Sequence, residues 1–242
     1  MVAIVEESLA SQGLAFVMHG LGGFKEQPHI RVMAEAFKQK GLTVVTFDTT
    51  NSIGESDGKY EDATTTNYYE DLEDVIVWAS RQPWYKKPFY LAGHSLGGIC
   101  TALFSEKYPD KVKALAPIST VVSGKLSTQR GEKKGELQKW KETGWEIAES
   151  ESKPGVIKRL PWSHMEDRMK YDLLPEAKKL SMPVLLIVGE HDEPEIQKIL
   201  FGALPGPKEL HIIKKAPHTF RDTDQLKEIK SIFLNWIDKI EA

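Results

Sequence analysis

Short apolar runs alternating with amphipathic stripes of helical spacing place this sequence in the α/β class, with a mainly parallel sheet covered by helices on both faces. Three observations carry that reading: the alternation itself, the branched, nearly continuous apolarity of the runs, and the glycine-rich turns that follow two of them.

The runs are Leu14 to Met18, Leu42 to Phe47, Phe89 to Ala92, Val112 to Ala116, Val184 to Val188 and Leu210 to Ile213, each short enough to be a buried strand. Between them, Ile30, Met33, Ala34 and Phe37 keep helical spacing, as do Leu72, Val75, Ile76 and Ala79, and then Leu96, Ile99, Cys100, Leu103 and Phe104. A last stripe, Ile229, Phe233, Trp236 and Ile240, predicts a closing helix packed on the sheet. Right-handed crossovers between the strands follow from this order. Val121 to Lys179 breaks the alternation: it has no clear strand, and charges interleave with Trp140, Trp145, Trp162, Met165 and Met169. It reads as a helical cap, an insertion at 121–179 within a single domain of 1–242, with the charged run Lys125 to Glu151 as a solvated helix face.

Bulk properties exclude several partner classes. With 32 basic and 35 acidic residues and a net charge of -3, the chain has no broad field to attract nucleic acid or an anionic membrane. No apolar run approaches the roughly 20 residues of a membrane span, and Met1-Val-Ala-Ile-Val-Glu-Glu lacks the regions of a signal peptide, so the expected location is cytoplasmic. The single cysteine, Cys100, forms no intramolecular disulfide and reads as packing. The histidines show no H-E-x-x-H or other ligand spacing, so neither metal nor cofactor is expected.

The chemistry sits at the ends of strands. Gly93-His94-Ser95-Leu96-Gly97 follows the run Phe89 to Ala92 and opens an amphipathic helix, the context in which a serine is forced into a sharp turn with its hydroxyl above the sheet. A serine hydroxyl needs a base, and the base needs a carboxylate to orient it, in the chain order serine, acid, histidine. Gly189-Glu190-His191-Asp192-Glu193 and Ala216-Pro217-His218-Thr219-Phe220 follow the next two runs and supply Asp192 and His218, with Glu190 and Glu193 as alternative acids. Functional residues of open parallel sheets gather at strand carboxyl ends, so Ser95, Asp192 and His218 can converge. Negative charge developing on a carbonyl oxygen calls for N–H donors: Leu96, directly after the serine, and Leu21 in His19-Gly20-Leu21-Gly22-Gly23. That glycine loop lacks the lysine and hydroxyl of a phosphate-binding loop and the full G-x-G-x-x-G spacing.

These elements together resemble the α/β-hydrolase superfamily over nearly the whole chain. Asp48 to Gly58, with Gly54-Glu55-Ser56-Asp57-Gly58, is similar to the loop after the second parallel strand in esterase and acyl-peptidase-like members, including cinnamoyl (feruloyl) esterases. The resemblance implies the α/β-hydrolase fold and serine chemistry. Two departures bear on it: there is room for one strand before Leu14 where members commonly carry an antiparallel pair, and the insertion after Ile118 is longer than in the most compact members. The expected activity is hydrolysis of small or medium acyl or aryl carboxylic esters, with the five cap residues Trp140, Trp145, Trp162, Met165 and Met169 lining the acyl pocket. A thioesterase, monoacylglycerol lipase or peptidase would use the same residues, and a silent ligand-binding relative would keep the pocket without turnover.

Overall fold

The computed structural model describes residues 1–8, 11–133, 135 and 137–242. Seven strands form one sheet: β1 (Val2–Glu6), β2 (Leu14–Met18), β3 (Thr43–Asp48), β4 (Phe89–His94), β5 (Val112–Ile118), β8 (Val184–Gly189) and β9 (Lys208–Ile213). Their spatial order is β1-β3-β2-β4-β5-β8-β9, and every pairing is parallel except β1 with β3. The single strand before Leu14 thus caps one edge as the lone antiparallel member. This is an α/β-hydrolase fold.

Period-two alternation of buried side chains divides the core into two layers. Leu14, Phe16 and Met18 of β2 face one layer with Leu72, Val75 and Ile76 of α2 (Thr65–Ala79) and Ile99 and Phe104 of α3 (Leu96–Lys107). Ala15 and Val17 face the other, with Ile30, Met33 and Phe37 of α1 (Pro28–Gln39) and Phe233 and Trp236 of α8 (Thr223–Glu241). Each large side chain buried here contributes about 1.5–3 kcal/mol. Local signals start the helices: Pro28 is at the first turn of α1, the Thr64 side chain accepts from Asn67 N–H, and Asp222 accepts from Asp224 and Gln225 N–H.

Between β5 and β8 the chain forms α4 (Gly124–Lys133), α5 (Gln138–Thr143), a hairpin of β6 (Trp145–Glu149) with β7 (Ile157–Pro161), and α6 (Ser163–Arg168). Lys134 and Glu136 of this insertion lie outside the described residues. The hairpin departs from an all-helical cap. Its strands alternate too weakly to be read from sequence, since β6 is exposed along its length and only Leu160 of β7 is fully buried. Polar contacts fasten the insertion to the body: Asp167 accepts from Thr66 N–H at 2.9 Å and from Thr66 Oγ at 2.7 Å, supplying an acceptor and a negative charge to the first turn of α2. His164 Nδ1 donates to the Ala63 carbonyl at 2.8 Å.

The Asp48 to Gly58 loop is organised around one buried carboxylate at the end of β3. Asp48 accepts from Lys25 N–H (2.7 Å), Glu55 N–H (2.8 Å) and Lys25 Nζ (2.8 Å), and Lys25 also contacts Glu55. A side chain at Gly54 would put its Cβ 2.2 Å from Asp48 Cγ, which is why this loop needs glycine there. Among the described residues, no helix is long and apolar enough to cross a membrane.

Candidate active site

Ser95 lies between β4 and α3 with φ 54° and ψ -113°, a strained backbone that costs about 1–3 kcal/mol unless its surroundings impose it. They do. Ser95 N–H donates to the Ile118 carbonyl at 2.9 Å, and the Ser95 carbonyl accepts from Ile99 (3.2 Å) and Val121 (3.3 Å). The turn also requires bare backbone: a Cβ on Gly93 would lie 2.4 Å from the Gly97 carbonyl oxygen, and one on Gly97 would lie 2.4 Å from that of His19.

The β8 and β9 carboxyl ends deliver the other two groups. His218 Nε2 is 2.9 Å from Ser95 Oγ, and His218 Nδ1 is 2.7 Å from Asp192 Oδ1. With Asp192 ionised, Nδ1 carries the proton and Nε2 accepts from the serine, a chain of contacts able to draw a proton from the hydroxyl. The two alternative acids are engaged elsewhere: Glu190 accepts from Lys215 N–H at 2.8 Å, and Glu193 meets Arg130 at 3.2 Å. The two loops approach through Gly189, where a Cβ would sit 2.3 Å from the Ala216 carbonyl oxygen.

His94, inside the serine turn, contributes a contact that sequence reading missed. Its Nε2 donates to the His218 carbonyl at 2.8 Å, so the serine turn and the histidine loop are tied directly. Burial, reinforced by His29 and His218 nearby, holds His94 well below the usual histidine range and therefore neutral. The only sequence signal was its position inside the motif.

Leu96 directly follows this serine, and Leu21 lines both cavities that adjoin it. Leu96 opens α3, where first-turn N–H groups have no intrahelical acceptor. The Gly20 carbonyl is held by Gly23 N–H at 2.9 Å and by His19 Nδ1 at 2.8 Å. Because carbonyl and N–H point in opposite directions across a trans peptide, the Leu21 N–H is turned away from that contact. His19 Nε2 accepts from Thr49 N–H at 3.1 Å, and burial pushes its pKa down, which fixes the neutral tautomer.

Two cavities adjoin Ser95. One of about 90 Å³ is lined by Gly20, Leu21, Gln27, His29 and Arg221 among others, and one of about 350 Å³ runs from Ser95 towards Ser119, Val121, Arg168, Ile196 and Gln197. None of Trp140, Trp145, Trp162, Met165 and Met169 lines either cavity, which corrects their expected role. Trp140 and Met165 are buried in the core, Trp162 packs edge-on against Trp140 at 5.7 Å, and Trp145 lines a separate groove with Arg159. Met169 is partly buried. The physical reason is that Trp140 and Met165 are consumed in seating the insertion, while Trp145 lies on its exposed hairpin. Among the described residues no group of three or more His, Cys, Asp or Glu side chains is placed to hold a metal.

Comparison with known proteins agrees with this architecture. An uncharacterized 31.7 kDa protein of the traX-finO intergenic region of Escherichia coli is 28% identical over 249 residues, covering 88% of this chain and 86% of that protein. The mouse mitochondrial palmitoyl-protein thioesterase ABHD10 is 30% identical over 165 residues, covering 67% of this chain and 53% of that protein. In structure, Est1E from Butyrivibrio proteoclasticus with ferulic acid bound superposes at a TM-score of 0.77 and 19% identity, covering 98% of this chain and 94% of that one. Mouse alpha/beta hydrolase domain-containing protein 10 superposes at 0.78 and 19%, with the same coverage. The family model described as serine aminopeptidase, S33, matches residues 10–224, and the chain belongs to that family of α/β-hydrolases.

Proposed function

We propose that this protein is a serine hydrolase that cleaves carboxylic esters by two-step acyl transfer, with Ser95 as nucleophile, His218 as general base and Asp192 as the group that orients it. The observation that carries the reading is the unbroken hydrogen-bond chain from Asp192 to His218 (2.7 Å) to Ser95 (2.9 Å) at the carboxyl ends of three strands. His218 takes the Ser95 proton as Oγ attacks the carbonyl carbon, and the oxygen's developing charge is met by the Leu21 and Leu96 N–H groups. The alcohol leaves with the proton returned by His218, and water repeats the sequence on the acyl-enzyme.

Small or medium acyl or aryl esters suit the cavity of about 350 Å³ beside Ser95. A thioester substrate is favoured by one further observation, the 30% identity to a palmitoyl-protein thioesterase over 67% of this chain. An oxygen ester and a thioester of the same acyl group, assayed side by side, separate these two readings.

The test of the shared mechanism is hydrolysis of p-nitrophenyl acetate by the parent and by Ser95→Ala. Loss of at least about 10³-fold in kcat with the fold intact is expected, since the residues act as a unit. Retention of the parent rate in the folded variant overturns the nucleophile assignment.

A further inference from the structure

We infer that the larger cavity beside Ser95 takes an ester bearing a carboxylate at the end that lies in the cavity, with Arg168 and Ser119 receiving that carboxylate. This specifies the substrate class of the proposed serine hydrolase and rests on that reading for the position of the scissile bond. The starting observation is that three buried polar atoms without a hydrogen-bond partner among the described residues all belong to residues lining this one cavity: Arg168 Nε, Ser119 Oγ and Gln197 Oε1.

Each atom has a fixed character. Gln197 Nε2 donates to the Thr120 carbonyl at 2.7 Å, which sets the amide orientation and leaves Oε1 as an acceptor. Ser119 lines the cavity, is 3% exposed and is held at φ 43°, with its N–H donating to the Ile187 carbonyl at 2.8 Å, so its backbone is fixed there. The Arg168 guanidinium donates to His164 Nε2 at 3.1 Å, and that imidazole is neutral because its Nδ1–H is given to the Ala63 carbonyl and burial pushes its pKa down to about 4.

The charge of Arg168 is therefore met by a neutral partner. Among the described residues no carboxylate lies within salt-bridge distance of Arg168, nor of Lys158, a second cation lining the same cavity. The acidic groups facing the cavity are accounted for. Asp192 is bound to His218, Glu193 meets Arg130, and Glu146 is exposed, where water screens its attraction for Arg168.

An alkyl chain in this cavity offers none of the three polar atoms a partner. A carboxylate accepts from Arg168 Nε–H and the Ser119 hydroxyl, with charge-assisted bonds roughly twice as strong as neutral ones. Val121 and Ile196 give the connecting methylenes apolar wall, and Gln197 Oε1 is left to accept from a hydroxyl or water.

Calorimetric titration of the intact protein with adipate and with hexanoate, which differ only in the distal carboxylate, tests this directly. Adipate binding at least about tenfold tighter than hexanoate is expected, with the preference lost in R168M and partly kept in R168K. Equal affinities, or a preference that persists in folded R168M, overturn the inference. Should R168M not fold, Ser119→Ala must narrow the preference, and an unchanged ratio there is equally fatal. Adipate must also slow fluorophosphonate labelling of Ser95 at lower concentration than hexanoate does, and labelling indifferent to adipate overturns the placement. Binding needs no turnover, so a protein that prefers adipate but does not react with fluorophosphonate refutes the nucleophile reading alone, whereas a reactive Ser95 with equal affinities refutes the carboxylate alone.

Discussion

Replacing His94 by alanine removes the 2.8 Å hydrogen bond that ties the serine turn to the His218 carbonyl. Such a neutral bond contributes about 1 kcal/mol net, and the carbonyl left unpaired adds about 1–3 kcal/mol where it stays buried. His94 is 4% exposed and packs on the His29 ring at 4.3 Å, so truncation also opens a void. A total loss of about 2–4 kcal/mol of stability follows. The functional effect is a matter of geometry. Without His94 the histidine loop is held by the Asp192 contact and by His191 N–H to the Ala216 carbonyl at 3.0 Å, and a displacement of about 1 Å at a reacting group is enough to cost about 10²-fold. For p-nitrophenyl acetate, kcat should fall by about 10- to 10²-fold with KM little changed, because the lost alignment is that of the chemical step. His94→Gln, whose amide can donate towards the same carbonyl, should recover part of kcat. Steady-state kinetics with thermal melts of each variant decide the matter. Parent-like kcat in folded His94→Ala, or no advantage of glutamine over alanine, refutes the positioning argument.

Asp192→Asn should lower kcat by about 10⁴-fold, the loss recorded for the equivalent change in a serine protease, because an amide can hold the imidazole in the wrong tautomer. Glu190→Gln and Glu193→Gln should cost far less, and a ranking with Glu193 as the most damaging would move the acid. Trp140→Ala should lower stability by about 3–5 kcal/mol by emptying a core position, yet leave the acyl-chain profile across p-nitrophenyl esters as in the parent. A changed profile at unchanged melting temperature would contradict the placement of Trp140 in the core. Glu106 is buried on α3, and burial, with Glu176 adding to it, pushes its carboxyl from 4.5 up to about 8. The unfolded chain then binds fewer protons than the folded one between those values, so stability from this group is lost as pH rises through about 8, at no more than about 1.4 kcal/mol per pH unit. Glu106→Gln should therefore gain on the parent in urea unfolding at pH 9 and not at pH 5, and an equal difference at both would count against it. His29 and His164, pushed down to about 3 and about 4 by burial, act in the opposite direction, since their contribution is lost as pH falls from about 6.5 towards those values.

The centre of the sheet was legible because its inner strands are buried on both faces, so Leu14–Met18 and Val184–Gly189 read as apolar runs with no competing pattern. Ser95, Asp192 and His218 were legible as candidates because each follows such a run, and strand ends converge in a parallel sheet. The insertion was not, for two physical reasons. Its hairpin β6-β7 is a solvent-facing two-stranded unit whose exposed residues leave no periodic signature, as Ile147 at 60% and Ile157 at 59% exposure illustrate. Trp140 and Met165 point inward to seat it on the body, while the cavity beside Ser95 is walled by Ser119, Arg168 and Gln197, polar types that composition cannot separate from ordinary surface. Arg168 in particular sits in the charged stretch before Lys170, and only its contact with a neutral His164 distinguishes it. The helix α7 (Pro194–Ala203) also escaped notice, since only Gln197 and Leu200 of its ten residues are buried.

Where a fluorophosphonate attaches shows whether the fold activates one serine. Intact protein treated with the reagent, digested and read by mass spectrometry should carry a single adduct on Ser95, and His218→Ala, still folded, should lose nearly all of the labelling rate. An adduct on another serine, or an unreactive Ser95 in folded parent protein, would contradict the account.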